Sequence, residues 1–80
     1  MKLIAKINYV YEARYKDSSE LNSILVITQT SHFGESFVGD TLWPPDKHTQ
    51  SKSEWAIDIN SAVWSFAELG HKDNFPEYFL

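Results

Sequence analysis

The sequence predicts an α+β fold: a three-stranded antiparallel β-meander packed against one C-terminal helix and followed by an aromatic tail. Three observations lead there. Apolar residues alternate with polar ones from Leu3 to Tyr15, Ser23 to Thr30 is β-branched and apolar on both faces, and an apolar stripe recurs at helical spacing after residue 52. Eighty residues fit a single small domain, 1–80.

In the first strand the odd positions Leu3, Ala5, Ile7, Tyr9, Tyr11, Ala13 and Tyr15 form an apolar face. Thirteen residues in a straight strand would reach about 43 Å, too long for a domain of this size, so a bend or bulge is expected near Asn8 to Val10. The polar cluster Lys16–Glu20 turns the chain. Ile24-Leu25-Val26-Ile27 then reads as the middle of a central strand. A turn at His32-Phe33-Gly34-Glu35 leads to a third strand, Ser36 to Trp43, which Gly39 thins and Pro44-Pro45-Asp46 ends.

Ser51 and Glu54 fit a capping box, and Gly70 suits a position just past a helix end. Between them Trp55, Ile59, Ala62, Val63, Phe66 and Leu69 gather on one side of a helix over residues 52–69. The poor helix formers Ile57, Asp58, Asn60, Ser61, Val63 and Ser65 support a rival parse. In it Trp55–Ile59 is a short fourth strand and Asn60 caps a shorter helix. The tail 71–80 carries Phe75, Tyr78, Phe79 and Leu80, more apolar surface than a disordered end, and is expected to dock on the body.

Composition narrows the function. The net charge is −4, and it is unevenly spread: residues 1–16 carry Lys2, Lys6, Arg14 and Lys16 against Glu12, while the rest carries three lysines against ten carboxylates. Such an acidic body disfavours broad contact with nucleic acid phosphates and favours basic partners. With no cysteine there is neither a disulfide framework nor thiolate chemistry, which fits a reducing compartment. The longest apolar run, Ile24–Ile27, is far below the ~20 residues of a membrane span, and Lys6 breaks up any leader-like start. A soluble cytoplasmic chain without membrane association is the expectation.

Motifs for chemistry are weak. Gly34, Gly39 and Thr41 have phosphate-loop spacing, but Asp40 stands where that loop needs Lys. His32, His48 and His71 lack metal-ligand spacing, and no serine sits in a nucleophile turn, so no cofactor, metal or catalytic residue is assigned and the chain is not read as an enzyme. Tyr9, Tyr11 and Tyr15 interleave with Lys6, Arg14 and Lys16, the ingredients of a single-stranded nucleic-acid platform, yet alternation sends rings and cations to opposite faces.

One pattern points to a partner. On the expected helix, Ile57 and Trp64 lie two turns apart opposite the core stripe, in line with Ser61 and Glu68, and Glu54 and Asp58 add charge. The expected function is a non-enzymatic protein-binding module: a small inhibitor, antitoxin or immunity-type factor, or a viral anti-defence protein, occluding a basic surface of another protein. The alternatives are a single-stranded nucleic-acid binder using the basic N-terminal strand and a homo-oligomeric structural protein.

Overall fold

The computed structural model describes residues 2–45 and 54–79. Their backbone makes one five-stranded antiparallel sheet of β1 (Tyr9–Tyr15), β2 (Ser23–Ser31), β3 (Ser36–Trp43), β4 (Glu54–Asp58) and β5 (Trp64–His71), in the order β4-β3-β2-β1-β5. Short 3-10 turns at His32–Gly34, Lys72–Asn74 and Pro76–Tyr78 complete it.

The first three strands follow the sequence pattern. β2 lies in the middle of the sheet and is buried on both faces from Ser23 to Ile27. β3 has the expected bounds. The long first strand breaks where length requires: Asn8 is left-handed (φ 72°), and β1 starts only at Tyr9.

The helix expected over residues 52–69 does not form, which overturns the α+β reading: the chain is mostly β. Ser51 lies outside the described residues, as do Asp46, His48 and Leu80. Glu54–Asp58 and Trp64–His71 are strands instead, joined by a turn at 59–63. The segment carries two periods at once. Alongside the helical recurrence, Trp55, Ile57 and Ile59 alternate with Glu54, Ala56 and Asp58, and Trp64 and Phe66 alternate with Ser65 and Ala67. Aromatic and β-branched side chains fit a pleated surface, and Asp58, Asn60 and Ser61 suit a turn, so the shorter period wins. Val63 and Leu69, assigned to the helix core, are 54% and 39% exposed. The rival parse had the fourth strand right, but Asn60 caps no helix. Its Nδ2 donates to the Leu3 carbonyl (3.0 Å) and its Oδ1 accepts from the Leu3 N–H (2.9 Å), as a strand neighbour would.

β4 and β5 are opposite edges of the sheet, yet only residues 59–63 separate them in the chain. Six Cα steps reach at most ~20 Å, about the width of four flat strand spacings, and this link contains turns. The sheet must therefore curl until its edges approach. They meet through aromatic rings: Trp55 on β4 packs edge-on against Trp64 (centroids 4.8 Å apart) and Phe66 (5.8 Å) of β5, and Phe37 of β3 packs edge-on against Phe66 (5.4 Å). Inside the curl Tyr11, Ala13, Leu25, Ile27, Phe37, Ile59 and Phe66 form the main core. On the outer face Val10, Ile24 and Val26 are covered by Leu21, Leu42, Phe75 and Tyr78, so the tail docks, though on the sheet and not on a helix. Gly39 has to be small: a Cβ there would sit 2.6 Å from the Val26 carbonyl oxygen of β2.

Tyr11 is 2% exposed. Burial first, and the nearby Glu68 carboxylate second, push its phenol up from 10.0 to about 12. The folded pKa exceeds the unfolded one, so this contribution to stability is complete below pH 10.0 and is lost as pH rises towards about 12. Thermal melts between pH 9 and 11.5 should show a falling midpoint, and Tyr11→Phe should flatten that alkaline limb; parallel curves for the two proteins would contradict it.

Candidate partner-binding surface

β4 sets two unlike faces side by side. Its inward residues Trp55 and Ile57 are half-buried against the main core, and the Trp55 indole N–H donates to Thr41 Oγ1 at 2.9 Å. Its outward residues Glu54, Ala56 and Asp58 are exposed. Across the ladder β3 sets Asp40 opposite Glu54, Val38 opposite Ala56 and Ser36 opposite Asp58.

Hydrogen-bond alternation sharpens this geometry. The Ile59 N–H donates to the Glu35 carbonyl at 2.8 Å, so Glu35 and Ile59 form a hydrogen-bonded pair in the β3–β4 register. Counting by twos makes Phe37–Ile57 and Gly39–Trp55 hydrogen-bonded pairs as well. Asp40–Glu54 then belongs to the other class, in which facing side chains stand closer together. Two carboxylates are thus held face to face at the sheet margin, an arrangement that lowers stability. At the far end of β4, Ser36 Oγ donates to Asp58 Oδ1 at 2.6 Å and holds that carboxylate in place. At that end a shallow groove of about 310 Å³ runs from Asp58 and Ala56 over Ser36 and Val38 to Thr30 of β2.

The residues expected to bind a partner do not share one surface. Glu54 and Asp58 share the outer face of β4. Ile57 and Trp64 belong to the inner side of the curl and pack on the core. Trp64 also stacks on Tyr15, with centroids 4.2 Å apart and planes 22° from parallel. Ser61 is buried, and its Oγ accepts from the N–H groups of Val63 (2.9 Å) and Trp64 (3.1 Å), which shapes the β4–β5 turn. Glu68 pairs with Lys6 at 3.1 Å. Without a helix the Ile57–Trp64 outer stripe does not exist; the indole joins the two sheet edges.

The basic N-terminal region is similarly occupied. Lys2 pairs with Glu35 (3.0 Å), Lys6 with Glu68 (3.1 Å) and Arg14 with Glu12 (2.8 Å). Lys6 Nζ also sits 5.0 Å from the centre of the Tyr9 ring. Sequence reasoning missed Asp40 and Val38 as surface partners of β4, because their place depends on a β3–β4 pairing that a helix would forbid.

Among the described residues no group of three His, Asp or Glu side chains is placed to hold a metal ion, and no helix is long and apolar enough to cross a membrane. No protein-family model, curated protein or solved structure matches the chain.

Trp64→Ala should remove the ring that joins β4 to β5 and destabilise the protein by about 3 kcal/mol, a large part of the ~4–12 kcal/mol expected at this size. Urea unfolding followed by circular dichroism measures this. An unchanged midpoint would show that the aromatic contact contributes nothing to the closure.

Proposed function

We propose that this protein is a non-enzymatic protein-binding module that covers a basic functional surface of another protein. An inhibitor, antitoxin or immunity-type factor, or a viral anti-defence protein, would act in this way, here in the cytoplasm. The observation that carries the reading is the Asp40–Glu54 pair. Two like charges directly opposite on neighbouring strands weaken the fold, whereas a cationic partner surface would neutralise both at once. Asp58 lies on the same outer face, and Val38 and Ala56 offer a small apolar floor between the acidic ends.

Mechanistically this is steric occlusion with electrostatic steering. The carboxylates raise the rate of encounter with a positive surface, and the outer β3–β4 face then excludes whatever that surface normally binds. Ile57 and Trp64 act from behind: by packing on the core they fix the strand that presents Glu54 and Asp58. Binding of single-stranded nucleic acid at β1 has weaker support, since Lys6 and Arg14 already face Glu68 and Glu12.

The immobilised protein should retain proteins with basic surfaces at low salt and release them near 0.5 M salt, where screening has shortened the reach of charge to a few ångströms. The double variant Asp40→Asn, Glu54→Gln should melt slightly higher, by a few tenths of a kcal/mol, and lose that retention. Equal retention by the double variant and the unaltered protein would defeat the reading.

A further inference from the structure

The alternation that brings Asp40 and Glu54 together has a second result. Because Phe37–Ile57 and Gly39–Trp55 are the hydrogen-bonded pairs, Glu54, Ala56 and Asp58 point their backbone N–H and C=O groups away from β3. Among the described residues no strand pairs with β4 on that side. A groove of about 260 Å³ runs along it, lined by Glu54, Trp55, Ala56 and Ile57, all from β4 itself.

We propose that this edge accepts an extended segment of a partner protein as a sixth strand, and that the segment carries Lys or Arg at two positions four residues apart. The proposal rests on the reading of this surface as one that binds a basic protein, and it names the form of the bound element. In a paired strand, residues opposite Glu54 and Asp58 share their outer face and must be cations. The residue opposite Ala56 must be small to fit between them. Residues opposite Trp55 and Ile57 fall on the inner side, beside the Trp64 and Phe66 rings that Trp55 already meets, so they must be apolar to join the rim of the core. The recognised pattern is therefore cation, apolar, small, apolar, cation. Backbone bonds supply the attachment and the two carboxylates the choice of partner.

A second copy of this chain fits poorly. Antiparallel pairing of two β4 strands centred on Ala56 would set Glu54 of each against Asp58 of the other, placing like charges together twice. The same two residues that select a basic segment thus oppose self-pairing.

The probe is the peptide Lys-Val-Ser-Val-Lys with blocked ends, added to the full-length protein at low salt. Binding should slow hydrogen exchange at the amides of Glu54, Ala56 and Asp58, and Glu54→Lys should abolish the effect. A peptide of the same sequence with N-methylated Ser and Lys amides keeps every charge but loses strand donors, and it should bind roughly tenfold more weakly or worse. Equal binding by the methylated peptide would overturn strand addition while leaving the acidic-surface reading intact. Failure of both peptides to bind would overturn strand addition too; the broader reading falls only if the Asp40→Asn, Glu54→Gln variant still captures basic proteins. Protection of those amides that grows with protein concentration and needs no peptide would assign the edge to a second copy and refute the proposal.

Discussion

The contact between Trp55 and Trp64 is the constraint on which the rest of this structure depends. These residues sit on opposite edges of a five-stranded sheet, and their rings meet because the short link 59–63 draws those edges together while β5 pairs with β1. A flat sheet of this size would expose both faces and could not enclose a core. Curling gives it an inside. Phe37 and Phe66 fill that inside from neighbouring and opposite strands, Ile59 enters from the link, and Tyr15 stacks over Trp64 at the rim. Among the described residues no strand pairing closes the curl, since β4 pairs there with β3 and β5 with β1. Aromatic packing does, and it leaves the outward backbone groups of β4 unpaired by any described strand.

How much of this was readable in advance varied with the kind of signal. β2 was legible because a run apolar on both faces has no place except the middle of a sheet, and β3 because two prolines mark its end. The bend near Asn8 to Val10 follows from length alone, and the left-handed Asn8 supplies it. Residues 54–71 are ambiguous because their apolar positions satisfy two periods. Trp55, Ile59, Phe66 and Leu69 suit a helix, but Trp55, Ile57 and Ile59 with Trp64 and Phe66 suit two strands, and β propensity together with Asp58, Asn60 and Ser61 decides between them. The candidate site suffered the same fate. Glu54 and Asp58 fall on one exposed face under either period, so their pairing survived; Ile57 and Trp64 moved inside once the period changed.

Charge follows the topology. Two of the N-terminal cations meet acids brought close through long-range contacts: Glu35 reaches Lys2 from the β2–β3 turn, and Glu68 reaches Lys6 from β5. These exposed pairs add little to stability. Their effect is on the field, for they reduce the positive charge at that end of the molecule and leave the acids of β3 and β4 as a source of negative potential. A protein whose net charge is only −4 can in this way present a face more acidic than its total implies.

Charged residues on a sheet edge have a familiar alternative explanation: they keep edge strands from joining other sheets and aggregating. That explanation covers Glu54 and Asp58, since β4 is an edge, but it does not cover Asp40. β3 is flanked by β2 and β4 and has no free edge to protect. Placing a carboxylate there, in the class of pair that brings side chains closest and directly across from Glu54, weakens the β3–β4 ladder without shielding any backbone group. A neutral residue at that position would guard the edge equally well and hold the strand more firmly. Protection accounts for acids on the margin; a pair of acids spanning the margin and its inner neighbour is better accounted for by a positively charged surface laid across both strands.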